Sequence, residues 1–94
     1  MDSPAIRHQE DRKRFTTQVD GHEGFVEYER DSDVFVITHT VVPPEIGGRG
    51  IAGQLVKAAL DHARAAGLKV RPDCSYAASY MQRHAEYADL RAAG

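Results

Sequence analysis

The chain has 94 residues and a mass of 10.4 kDa, is 41% apolar and 28% charged, and sets twelve Lys and Arg against fourteen Asp and Glu. That describes one domain of ordinary globular composition, too short for a two-domain enzyme or a full dinucleotide-binding fold. A net charge of −2 offers no cationic surplus to nucleic acid, and no apolar run approaches the ~20 residues of a membrane span. A single cysteine forms neither an internal disulfide nor a Cys-rich zinc site, and no His/Cys/Asp/Glu cluster has metal-ligand spacing. The start of the chain has no apolar signal-peptide core, so a cytoplasmic monomer is expected.

Residues 1–12, with Pro4 and five charged side chains, read as a flexible lead-in to a single domain over residues 13–94. Phe15 to Val19 is β-branched and alternating, and Asp20-Gly21-His22-Glu23-Gly24 has turn chemistry. Phe25 to Arg30 alternates again, with Val26 and Tyr28 on one face and Glu27 and Glu29 on the other. After the turn Asp31-Ser32-Asp33, the run Val34 to Val42 is apolar on both faces, as a central strand should be. These three strands predict an antiparallel meander.

Pro43-Pro44 closes that strand. Beyond Gly47-Gly48-Arg49-Gly50, residues Ile51, Ala52, Leu55, Val56, Ala59, Leu60 and Ala63 share one helical face, and Gly67 suits the helix C-terminus. Leu68 to Arg71 is strand-like and should return parallel to Val34–Val42 by a crossover. A last helix is expected over Ser75 to Arg83, capped by Ser75 or Asp73, and the chain beyond His84 reads as only partly ordered.

The strand, glycine-rich loop and helix from Val34 to Ala66 carry the main chemical signal. The first-turn amides of Arg49, Gly50, Ile51 and Ala52 lack intrahelical partners and sit at the positive end of the helix dipole, which suits a phosphate or pyrophosphate. Arg49 could add a charge-assisted contact, and the plain alternative is a tight turn with no ligand. Gly48 to Gly53 matches G-x-G-x-x-G, yet the dinucleotide reading fails because the chain has one crossover where that fold needs two parallel halves. A P-loop fails too, because no Gly-Lys-Ser/Thr follows.

Several motifs in order, His39-Thr40-Val41-Val42-Pro43, Gly48-Arg49-Gly50-Ile51-Ala52, Pro72-Asp73-Cys74-Ser75-Tyr76 and Arg83-His84-Ala85-Glu86-Tyr87, resemble the GNAT superfamily of N-acetyltransferases. Within it, they are most similar to small stand-alone N-acetyltransferase domain proteins, over about Phe15 to Leu90. Glu45 departs from the usual Gln or Arg, and Ala85 from the usual proline. The resemblance implies an α/β (α+β) GNAT-like mixed sheet, an antiparallel meander followed by a βαβ crossover and a C-terminal helix. It also implies acetyl-CoA, or another acyl-CoA, as donor to an amine acceptor of unknown kind. By position, the amides of Gly48, Arg49, Gly50, Ile51 and Ala52 would hold the pyrophosphate, Val41 and Val42 would pair with the pantetheine arm, and Tyr76 would join them in binding the donor.

Acyl transfer needs a base, oxyanion stabilisation and an exit for the thiolate. Cys74, at a strand end before a helix, reads either as a nucleophile with an activated thiol or as a structural cysteine. His39 reads either as a base, histidine titrating nearest neutral pH, or, with more weight, as a satisfied core residue. Tyr76 and Tyr80 share a helix face, and either hydroxyl, Tyr80 foremost, reads as a proton donor to the departing thiolate, with packing against the sheet the role of at least one of them. His8, His22 and His62 are assigned to solvent. A chain this short leaves little with which to enclose an acceptor, so the alternative to an N-acetyltransferase is a non-catalytic CoA-binding module that acts with a protein partner.

Overall fold

The computed structural model describes residues 5–92. Five strands, β1 (Arg7–Gln9), β2 (Arg14–Val19), β3 (His22–Asp31), β4 (Val34–Val41) and β5 (Lys69–Pro72), form one sheet in sequence order. The first four run antiparallel and β5 pairs parallel to β4. Between them lie helices α1 (Ile51–Ala65) and α2 (Ser75–Arg83), with 3-10 turns at Glu10–Arg12, Pro44–Ile46 and Ala85–Leu90. This is the mixed α+β architecture expected, with the meander one strand longer.

The hairpin turns follow their chemistry. Asp20 and Gly21 both have positive φ, 52° and 79°, which matches the right-handed twist of β2 and β3 across a two-residue turn. Gly67, at φ 73°, ends α1 as expected.

Strand register sorts side chains onto two faces. Gly24, Val26 and Tyr28 of β3, Phe35 and Ile37 of β4 and Val70 of β5 meet the apolar stripe of α1, and Ala77, Tyr80 and Met81 of α2 join the same core. Gly24 lies under α1, where a Cβ would stand at contact distance, 3.5 Å from Leu55 and 3.6 Å from Ile51. Both helices lie on this one face. The other face carries Arg14, Thr16, Glu23, Phe25, Glu27 and His39, and among the described residues no helix covers it.

One irregularity matters for chemistry. Glu27 pairs with His39 but Tyr28 pairs with Ile37, so Thr38 is an extra residue, a β-bulge. Simple alternation from Ile37 would put His39 and Val41 under α1. The bulge reverses them, so that Thr40 faces the helices while His39 and Val41 face the open side.

Four expectations are corrected. Residues Arg7–Gln9, read within a loose lead-in, form an edge strand on β2 (residues 1–4 lie outside the described ones). The reason is aromatic: His8 stacks on Phe15 at 4.1 Å, meets the Tyr28 hydroxyl through Nε2, and is met edge-on by His62 at 4.5 Å. His8 and His62 therefore pack on the aromatic cluster, not in solvent, and burial, aided by His62, pulls the His8 pKa down. Cys74 is the N-cap of α2, between the two residues favoured from sequence.

The chain beyond His84 is the fourth correction, since Tyr87 and Leu90 are both only 5% exposed. The Tyr87 hydroxyl donates to Asp61 Oδ1 at 2.7 Å, and Arg64 reaches Asp89 Oδ2 at 3.0 Å and the Glu86 carbonyl at 2.7 Å. The Ala92 amide then donates to the Val70 carbonyl at 2.8 Å, fixing the tail beside β5. Burial, with the Asp61 bond and charge, pushes the Tyr87 phenol up to about 12. The unfolded chain ionises this group near 10, so it releases a proton that the native state keeps, and stability falls with rising pH. Thermal melting in an alkaline series should show a loss above about pH 10 that Tyr87→Phe reduces. An identical alkaline profile in the variant would show that another group governs it.

Candidate active site

The glycine loop is pinned on its strand side and open on the other. Pro43 is extended, the turn Pro44–Ile46 follows, and Ile46 is fully buried, which anchors the loop in the core. Gly48 and Gly50 have φ of 78° and 76°, a conformation that L side chains rarely adopt, and a Cβ at either would meet nothing within 4 Å. The first helical backbone bond runs from the Gln54 amide to the Gly50 carbonyl at 3.1 Å, leaving the Ile51, Ala52 and Gly53 amides without helical acceptors. Open space, free amides and a helix dipole fit an anionic phosphate. Ile51 contributes its amide only, because its side chain is 2% exposed in the core. Arg49, considered for a phosphate contact, instead holds Asp20 of the β2–β3 turn at 2.7 Å.

Beside the loop the sheet opens. Parallel pairing of β4 with β5 ends at Ile37 and Pro72, and the Asp73 and Cys74 amides both donate to the Ile37 carbonyl at 3.0 Å, turning the chain into α2. Beyond Ile37, β4 runs on to Val41 with β3 on one side and no strand on the other. Val41 is the one exposed large apolar residue among those described, at 42%, while Val42 packs partly buried against the core. A polar chain with an apolar stem could lie along this bare edge.

Cys74 stands at the mouth of that gap, half-buried, with its Sγ 3.4 Å from the Thr40 hydroxyl. Burial alone would push the thiol up. The Thr40 hydroxyl and the amides of Ala77, Tyr76 and Thr40 more than offset this, and the net shift is downward, towards thiolate. In the thiol form Sγ makes no cap hydrogen bond, so the α2 amides are left to stabilise the anion.

The remaining sequence candidates divide. His39 is no core histidine: its side chain is 68% exposed on the open sheet face, with Nδ1 3.5 Å from Glu27 Oε1. It shares that face with Val41, while Cys74 and Thr40 are on the other. Tyr76 and Tyr80 both lean over the first turn of α1, where a Cβ on Gly53 would stand 3.4 Å from the Tyr76 hydroxyl and 3.5 Å from the Tyr80 ring. That places Tyr76 beside the glycine loop. Tyr80 is 7% exposed, stacks on His84 at 3.9 Å, and has its phenol pushed up by burial. Its ring serves the contact between α1 and α2.

Sequence reasoning missed Thr40, Glu27 and Gly53. Thr40 and Glu27 depend on the bulge, for which one sequence gives no signal. Gly53 could have been found, since a glycine inside a helical pattern marks a close approach. Among the described residues no three His, Cys, Asp or Glu side chains are grouped to hold a metal, and no helix is long and apolar enough to cross a membrane.

Comparison with known proteins agrees with this geometry. The family model of GCN5-related N-acetyl-transferases matches residues 14–90. The protein NATD1 of Gallus gallus is 37% identical over 82 residues, covering 84% of this chain and 74% of its own length. Protein NATD1 of Homo sapiens is also 37% identical over 82 residues, covering 84% and 73%. The NMR solution structure of a GCN5-like protein from Staphylococcus aureus superposes with a TM-score of 0.76 at 28% identity, over 100% of this chain and 93% of that one.

Proposed function

The chain belongs to the GCN5-related N-acetyltransferase family, and from that premise we propose that it moves an acetyl group from acetyl-CoA to an amine through Cys74. The observation that carries this reading is the placement of a thiol with lowered pKa where β4 and β5 part, on the helix whose Tyr76 reaches the first turn of α1 behind the open glycine loop. The acyl-CoA-binding unit is taken as residues 13–94 together with the edge strand Arg7–Gln9, and a reducing cytoplasm suits a mechanism that needs a free thiolate.

The amides at Gly48 to Ala52 hold the pyrophosphate, Tyr76 flanks it, and the bare edge at Val41 and Val42 guides the pantetheine arm towards Cys74. Cys74 Sγ attacks the thioester carbonyl carbon. The new C–S bond forms as the bond to CoA sulfur breaks, and CoA leaves with that electron pair. The acetyl group then passes from Cys74 to the amine, which regenerates the thiolate, with His39 taking a proton from the acceptor. Tyr80, the sequence candidate for protonating the departing thiolate, holds α2 on α1 and so positions Tyr76 and Cys74.

Intact-mass spectrometry after mixing with acetyl-CoA tests this. The expected result is a gain of one acetyl group on the peptide containing Cys74, absent from Cys74→Ala, and a fall in CoA release of roughly a hundredfold or more in that variant. Unchanged CoA release by Cys74→Ala would exclude the thiol as nucleophile. Tight acetyl-CoA binding with no CoA release to any amine would favour the non-catalytic module.

A further inference from the structure

We propose that the acceptor site is a four-residue patch on the open face of the sheet, Phe25, Glu27, His39 and Val41, which selects a primary alkylammonium. This rests on the acetyl-transfer reading above. The register sets Phe25 directly opposite Val41 and Glu27 directly opposite His39, at the end of β4 that β5 has left. Such directly opposed side chains stand about 5 Å apart. The patch is therefore apolar on one row and ionisable on the next, which is the shape of a protonated amine on an apolar stem.

Charge sharpens the assignment. Four carboxylates of β3 lie on this face, of which Asp31, opposite Val34, is at the end of the strand away from the gap. Glu29 is held by Lys13 at 3.0 Å, and Glu23 by Arg14 at 3.7 Å. Arg14 faces Glu27 in the register, yet it bonds Gln9 and lays its guanidinium 4.9 Å over the Phe25 ring. Glu27 is left with His39 and, among the described residues, with no Lys or Arg. A carboxylate one strand in from the gap, without a Lys or Arg at ion-pair distance, is a place for the cation of a ligand. The backbone of Val41 is the edge offered to the pantetheine arm, while its side chain, exposed on the open face, supplies contact for the stem.

The bulge connects the patch to the thiol. Thr40, which touches Cys74, sits in β4 between His39 and Val41, so the patch and the thiol lie on opposite sides of the same strand segment. Glu27 holds the ammonium and His39 takes one proton from it. The neutral amine then attacks the acetyl carbonyl through the gap. A C–N bond forms, the C–S bond to Cys74 breaks, the sulfur keeps the electron pair, and the second proton passes to water.

Butylamine is the probe, with glycine, whose carboxylate Glu27 repels, as the contrast. In the CoA-free protein, butylamine should shift NMR signals of Phe25, Glu27, His39 and Val41. In turnover, Glu27→Gln should raise the butylamine KM about tenfold or more and narrow the preference over glycine, with acetyl-CoA affinity and melting temperature unchanged. Glu29→Gln, on the same strand, should change none of these. If the wild type acetylates butylamine and Glu27→Gln leaves its KM unmoved, the site is wrong while the acetyl-transfer reading stands. If acetyl-CoA does not bind, that reading falls, and the CoA-free spectra decide the site alone. Shifts confined to the four residues then support it, and their absence overturns it.

Discussion

Gly50→Val is expected to weaken acetyl-CoA binding roughly a hundredfold while the protein stays folded. Two features of Gly50 separate these effects. Its φ of 76° makes any L side chain strained, for about 1–2 kcal/mol of stability, a loss most domains survive. A Cβ there meets nothing of the protein within 4 Å, so the substitution crowds no core atom. What it occupies is the space over the first-turn amides, where a phosphate must come close to be bound. Each charge-assisted bond lost accounts for about 1.5–3 kcal/mol, so losing one or two suffices for the expected factor. Calorimetric titration with acetyl-CoA, beside a melting curve, reads both quantities. An affinity within about threefold of wild type would mean the pyrophosphate lies elsewhere.

Ending the chain after His84 should leave it largely unfolded at physiological temperature. The removed residues include Tyr87 and Leu90, both 5% exposed, and each buried side chain of this size contributes about 1.5–3 kcal/mol. The Tyr87 bond to Asp61 and the Ala92 bond to Val70 go with them. A sum of about 4–9 kcal/mol compares with the 5–15 kcal/mol that holds a typical domain together. Circular dichroism and melting of the shortened chain test this, and a cooperative transition close to that of the full chain would show that the tail only decorates the core.

How legible these features were depended on whether they are local. The meander, the amphipathic α1 and the parallel return of β5 were readable because alternation, 3.6-residue periodicity and glycine or proline punctuation are written in adjacent residues. The glycine loop was legible for the same reason. The tail was misread because Ala85 to Leu90 is short and Ala-rich, with just two large apolar residues, and its order comes from α1 and β5. His8 and His62 were misread because each takes its surroundings from the aromatic residues Phe15, Tyr28 and Phe35, far away in the chain. The weight given to His39 as a core residue failed at the bulge, which moves an imidazole from one face to the other without changing a letter around it. Proximity of Cys74 to Thr40 follows from that same inserted residue.

Thr38 thus makes this end of β4 a partition, with Thr40 towards the helices and His39 and Val41 towards the open face. With donor and acceptor bound as proposed, they reach one carbonyl from opposite sides, and neither stands in the other's way out. CoA can depart along the helical side while an amine already waits on the open side, so release of the first product need not precede capture of the second substrate. A two-layer protein needs no lid to keep the two traffics apart, because the strand between them already does so.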